Sequence, residues 1–338
     1  MHASAGNHDV RYTWKLLRAG EFRLDGGSMF GLIPRSVWSR SVPTDDKGRI
    51  TVQHNCLLLE RVGDAPRDAK GNTIDSPKLV IIEVGTGDKL DAKSRDLFAM
   101  EDNSIHAQLR KVSCDPKDIA AVFVSHLHFD HAGGLTRLPT AGETADWTGP
   151  ASGMAGARPD HGVKLTFPNA RVIAQQREWD DALANRSVMT RTYFRDHLDP
   201  IKDHLKLIDA PAPFASYITP DKTDAPMLRF DQRAIEVYPG LRVFRTPGHT
   251  WGQQAMHFKD PAGNTVVFTP DVLPTAAHAG QTYSLAYDVE PYTSMITKTW
   301  FLRQAAAENW LLVLDHEPGN PLRRAKPNDK GWYDLIEA

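Results

Sequence analysis

Residues 122–135 read Val-Phe-Val-Ser-His-Leu-His-Phe-Asp-His-Ala-Gly-Gly-Leu, and no other stretch constrains the chain as tightly. Val122, Phe123 and Val124 are apolar or β-branched, which predicts a buried strand. His126, His128, Asp130 and His131 then place four metal-ligand types within six positions. In an extended run, residues two apart point to one side, so His126 and His128 can reach the same ion. Asp130 and His131, where the chain turns toward a helix, face a neighbouring position, while Leu127 and Phe129 point the other way, into packing. Packing alone does not explain that spacing of imidazoles; metal binding does.

The flanking chain predicts one large domain over residues 1–338 or two modest ones, with a sizeable core. Lys and Arg total 40 against 42 Asp and Glu, so no charge excess points to nucleic acid or an anionic membrane surface. No run of eighteen apolar residues predicts a membrane span, and Met1–Gly20 lacks the apolar centre of a signal peptide; the expected location is cytoplasmic. Two cysteines, Cys56 and Cys114, form no disulfide framework and are expected as buried free thiols.

Strand patterns cover residues 10–60, including Ile50–Glu60, and Leu79–Val84, with Gly85-Thr86-Gly87 as a tight turn. Apolar spacing predicts a helix over Asp91–Val112. Residues 139–162 read as a loop bordering a site, and residues 175–230 as a largely helical insertion able to cap a pocket. In the second half, three strands each end on a possible ligand: Leu241–Arg245 before Thr246-Pro247-Gly248-His249, Thr265–Thr269 before Pro270-Asp271, and Leu311–Leu314 before Asp315-His316. Four strand ends thus offer His126, His128, Asp130, His131, His249, Asp271 and His316.

On these motifs, with Gly133-Gly134 and the Ile82–Lys89 strand-and-glycine stretch, the chain resembles the metallo-β-lactamase fold superfamily over roughly residues 50–320. The resemblance implies an α/β (α+β) fold, a four-layer αβ/βα sandwich with metals at one edge. It also implies two divalent ions, zinc by preference, with Mn²⁺ or Fe²⁺ as alternatives. By matching position, His126, His128 and His249 hold one ion and Asp130, His131 and His316 the other, with Asp271 bridging. An aspartate at 271, where the classical β-lactamases of the superfamily place a cysteine, argues against antibiotic hydrolysis. His128 argues against the flavodiiron branch, where that position is usually a glutamate. Two departures are Glu83-Val84-Gly85 in place of Asp-Thr-Gly, and Pro270 in place of Gly; Glu83 is still expected to accept a hydrogen bond from a ligand histidine.

The implied chemistry is hydrolysis by a metal-bridging hydroxide, with Asp130 and Asp271 as catalytic carboxylates. The layout is similar to that of the lactonase and organophosphate-hydrolase branch, so the expected substrate is a small ester or lactone. Phosphodiester or phosphotriester hydrolysis is the alternative, and an iron-dependent dioxygenase or a metal-binding module is the alternative outside hydrolysis. Trp147, Phe167, Trp179, Tyr193 and Phe194 are candidates for an apolar pocket, and His278, Tyr283 and Tyr287 for contacts to the substrate. The partner is a small molecule rather than nucleic acid or membrane, and a homodimer is compatible with the sequence.

Overall fold

The computed structural model describes residues 9–149, 161–189, 191–214 and 228–338. Strand β1 (Tyr12–Asp25) pairs antiparallel with β2 (Arg49–Arg61), with a bulge at Arg18/Glu21 where Gly20 takes φ 129°. Strand β3 (Leu79–Ile82) pairs antiparallel with β2 and parallel with β4 (Ala121–Phe123). Short strands β5 (Thr136–Arg137), β6 (Trp147–Gly149) and β7 (His161–Leu165) form a separate three-stranded sheet, and β8 (Arg171–Gln175) and β9 (Leu205–Ile208) complete the first sheet beside β4. The second sheet runs in chain order through β10 (Ile235–Tyr238), β11 (Leu241–Arg245), β12 (Gln254–Lys259), β13 (Thr265–Thr269), β14 (Leu311–Leu314), β15 (Leu322–Pro327) and β16 (Tyr333–Glu337). Its one parallel pair, β13–β14, is bridged by the helix Pro291–Ala307, as a parallel crossover requires.

Period-two alternation builds the layers. Leu57, Leu59, Val80, Ile82 and Phe123 face inward and meet Val243, Met256, Val266 and Phe268 of the second sheet. Leu58, Ile81 and Val122 face outward and are covered by Ile105, Leu109 and Leu198. On the opposite face Val267, Leu312 and Leu314 are covered by Trp300, Phe301 and Ala305 of the long helix. The result is the four-layer αβ/βα sandwich. Among the described residues, no helix is long and apolar enough to cross a membrane.

Several local expectations change. The helix over Asp91–Val112 is two helices, Ala92–Leu97 and Ile105–Lys111, because Asp91 and Ser104 each cap a start and Ala99 takes φ 44° between them. The segment 175–230 is not only helical. Helices Gln176–Leu183 and Arg195–Leu198 lead into β9, which pairs in parallel with β8 as an edge strand of the main sheet; residues 190 and 215–227 lie outside the described residues. The supposed loop 139–162 contributes β6 and the start of β7, with residues 150–160 outside the described residues. Both cysteines are free, but Cys114 is only half-buried.

Candidate metal centre

Strands β4, β11, β13 and β14 end at the same edge of the sandwich, which is why residues as far apart in the chain as His126 and His316 converge. Val124 closes β4 by donating to Ile173 O, and Ser125 donates its N–H to Glu83 Oε1. Across the sheets, Gln254 donates its N–H to Ser125 O at 2.9 Å and its side-chain amide to Val124 O at 2.8 Å. The turn after the metal run is pressed onto the Val84–Gly87 turn. A Cβ on Gly133 would lie 2.1 Å from Thr86 O, and one on Gly134 2.1 Å from Val84 O, so only glycine permits this approach. Gly85 and Gly87, at φ 65° and 74°, make the facing turn.

Asp271 is the centre of the cluster. Its Oδ2 lies 3.1 Å from His249 Nε2, 3.6 Å from His131 Nε2 and 3.9 Å from His126 Nε2, while Oδ1 lies 3.3 Å from His316 Nε2. His128 Nδ1 stands 3.1 Å from His249 Nε2. Two groups of side chains that could hold a metal ion result: His126, His128 and His249, and His131, Asp271, His316 and Asp315. Asp130 sits on the open side of the second, its Oδ2 3.8 Å from both His131 Nε2 and His316 Nε2. Asp315, the fourth member of that group, lies with its carboxylate 3.0 Å from Nδ1 of His131, the nitrogen turned away from Asp271, so it orients the ring. Glu83 Oε2 is 3.4 Å from the same Nδ1.

Most of the other ring nitrogens are also engaged on their far side. His126 Nδ1 is 2.9 Å from Ser125 Oγ, His249 Nδ1 2.9 Å from Asp288 Oδ1, and His316 Nδ1 2.9 Å from Gln53 O. These partners fix ring orientation and leave the inward nitrogens of His126 and His316 bare, while His249 Nε2 meets His128 Nδ1. Nε2 of His126, His131 and His316, with Oδ1 of Asp271, are buried and have no hydrogen-bond partner among the described residues. Burial pushes His126 and His128 well below the usual histidine range, so both present lone pairs. Burial also opposes the charged form of His131 and His316, but the surrounding aspartates prevail and hold His131 well above that range and His316 at about 9. Asp271, which burial would raise, is driven well down by His249, His316 and His131. Bare imidazole nitrogens around one buried carboxylate fit divalent cations, which take the place of those protons.

Glu178 ties the centre together and carries no signature in the sequence. It is buried and accepts from Leu127 N at 2.9 Å, Tyr193 OH at 3.1 Å and Thr250 Oγ1 at 2.5 Å, so one carboxylate joins the His126–His128 loop to the residue after His249.

A cleft of about 520 Å³, including its open mouth, leads to Asp130, Asp271, His128, His249 and His316. Its apolar walls are Leu24, Met29, Phe98, Phe129, Met189 and Leu285, with Thr192 and Tyr287 as further polar lining. The expected aromatics are not there. Phe167, Trp179 and Tyr193 belong to the core over the first sheet, and Phe194 stands behind Phe129 at 6.0 Å between ring centres. Trp147 lies in the small sheet, and Phe129, expected to pack inward, faces the cleft instead because a helix begins there. Of the three residues expected to touch substrate, Tyr287 lines the cleft. His278 does not: Nδ1 meets Thr275 Oγ1 at 2.7 Å, Nε2 meets Met29 O at 2.8 Å, and the ring stacks on Phe30. Tyr283 packs edge-on against Phe30, outside the lining.

A family model described as metallo-beta-lactamase superfamily matches residues 78–316. An N-acyl homoserine lactonase, AiiA, of Bacillus thuringiensis subsp. kurstaki is 25% identical over 171 residues, 51% of this chain and 45% of that protein. The lactonase AttM of Azorhizobium caulinodans is 25% identical over 178 residues, 53% of this chain and 50% of that protein. The chain therefore spans about half the length of the curated relatives it matches. Among solved structures, a probable metal-dependent hydrolase from Staphylococcus aureus superposes with a TM-score of 0.67 at 23% identity, covering 99% of both chains. The dizinc quorum-quenching lactonase AidC, in complex with its product N-hexnoyl-L-homoserine, superposes at 0.66 and 16% identity, covering 97% of this chain and 94% of that one.

Proposed function

The chain belongs to the metallo-β-lactamase superfamily, and from that premise we propose that it is a two-metal hydrolase, zinc-loaded, acting on small uncharged esters or lactones. His126, His128 and His249 would hold one ion, and Asp130, His131 and His316 the other, with Asp271 as a carboxylate shared by the two groups. When bound, the metal pair supplies a hydroxide nucleophile near neutral pH and a Lewis acid for the substrate's carbonyl oxygen. Asp130 lines the cleft and is positioned to take the proton released in attack and return it to the leaving oxygen. Burial pushes the Tyr287 phenol up to about 12, so it stays protonated and donates a hydrogen bond to a substrate oxygen.

The cleft wall carries the choice of substrate. Six apolar side chains line it, and no lysine or arginine is among its described lining residues. A phosphodiester would keep its negative charge against that wall without a cationic partner outside the metals, a costly desolvation. A neutral ester or lactone with an apolar substituent incurs no such cost and buries its tail against Met29, Phe98 and Phe129. The named activity of the lactonase relatives supports the same reading.

The test is a substrate profile of the zinc-loaded protein over lactones, aryl esters, phosphotriesters and phosphodiesters. Lactone or ester turnover exceeding phosphodiester turnover by at least about 10²-fold is expected, about 2.7 kcal/mol of discrimination. Efficient phosphodiester cleavage with inert lactones would overturn the proposal.

A further inference from the structure

The helix Pro291–Ala307 carries a lysine whose ammonium lies inside the protein. Lys298 is 2% exposed, and its Nζ donates to His278 O at 2.9 Å, to Gly280 O at 3.4 Å and to Tyr283 O. Among the described residues, Asp288 is the carboxylate whose charge favours the ammonium, and that carboxylate is committed to His249 Nδ1 and to Leu285 N at 3.2 Å. The charge is therefore met by backbone carbonyls rather than by an ion pair. Burying an ammonium costs several kcal/mol, and a methionine of similar length would fill the same space without that cost. What the ammonium adds is a fixed geometry for three carbonyls.

Those carbonyls belong to the segment that makes one wall of the cleft. His278 locks onto Met29 O, Ala286 donates its N–H to Ser28 O at 2.8 Å, and Trp332 holds Ala279 O at 2.7 Å from outside. Leu285 and Tyr287 then line the cleft together with Phe129 and Met189. Gly31 lets the two segments close on each other, since a Cβ there would lie 2.5 Å from Ser284 O.

We propose that Lys298 is a positioning residue for the substrate, fixing Leu285 and Tyr287 through the carbonyls of residues 278–283. It touches neither the substrate nor the metal ligands and acts through the loop. The same contacts explain why His278 and Tyr283 lie outside the lining: they are part of the clamp. The proposal rests on the reading of this cleft as the substrate site.

Lys298→Met in the metal-loaded full chain is expected to raise KM for an apolar lactone or ester about tenfold, with kcat and metal content within about threefold of wild type. Lys298→Gln, which retains two N–H donors, is expected to recover part of that loss. Amide hydrogen exchange reads the clamp without turnover: residues 283–288 should exchange at least tenfold faster in Lys298→Met, with β11–β14 unchanged. A protein inactive on every ester and lactone would sink the substrate reading, while the exchange result would still decide the role of Lys298. Unchanged exchange at 283–288, faster exchange spread evenly over the chain, a fall in kcat without a rise in KM, or failure of both variants to fold would each overturn the local role.

Discussion

Replacing Glu178 by alanine is the sharpest probe of how the two halves of the centre are joined. The carboxylate receives three buried donors, Leu127 N, Tyr193 OH and Thr250 Oγ1. Truncation leaves each donor without a partner, at roughly 1–3 kcal/mol apiece, and relief of the buried carboxylate offsets part of the sum. A net loss of about 3–5 kcal/mol is expected, a large share of a total stability of roughly 5–15 kcal/mol. Glu178→Gln keeps the acceptor oxygen for Leu127 and Tyr193 and should cost about 1 kcal/mol. Burial raises the Glu178 pKa, its three donors oppose that, and the net direction is upward. A raised acid binds protons more tightly folded than unfolded, so its contribution to stability falls as pH rises from the unfolded value toward the folded one; Glu178→Gln should remove that slope. Urea denaturation with metal content measured in parallel decides the matter. Glu178→Ala within about 0.5 kcal/mol of wild type, with metal retained, would refute the reasoning, as would Glu178→Gln proving as damaging as Glu178→Ala.

Other perturbations follow from single contacts. Gly134→Ala drives a methyl to 2.1 Å from Val84 O, and neither backbone can yield cheaply, so metal content and soluble yield should both fall steeply; a metal-loaded, stable variant would contradict the packing. Asp45, which desolvation alone would raise, is instead held at about 2 by the Arg49 N–H and the Arg49 and Arg23 guanidiniums. Its folded value lies below the unfolded one, so its contribution is present above about pH 4 and lost as pH falls toward 2. Asp45→Asn should flatten the pH dependence of Tm in that window, and an unchanged slope would count against the pairing. Asp315→Asn leaves His131 with a weaker partner on Nδ1 and should lower affinity for the metals about 10–100-fold, measured by competition with a chelator.

Much of the fold was legible because strand ends and their ligands are contiguous in the chain. Val122–Val124, Leu241–Arg245, Thr265–Thr269 and Leu311–Leu314 show themselves by apolar runs ending in punctuation, and the structure places β11, β13 and β14 over the last three of those ranges. What was not legible depends on contacts between distant residues. Glu178 looks like any helical glutamate until the fold brings Thr250 and Leu127 to it. Asp315 stands next to His316, and a carboxylate placed behind a candidate ligand has no spacing of its own in the sequence. Strand β9 was hidden in a charged helical context, since an edge strand needs only one apolar face. Strand periodicity predicts Phe129 in packing, whereas the chain is already helical there and the period has changed.

The most direct measurement is activity against metal equivalents added to the chelator-stripped chain, with zinc bound per chain determined in the same samples. Lactone or ester hydrolysis should rise to a plateau at two zinc ions per chain, and His126→Ala and Asp271→Ala should each fail to reach it. Full turnover without bound metal, a plateau at a single ion, or an Asp271→Ala variant that binds two zinc ions and turns over normally would contradict the two-metal centre.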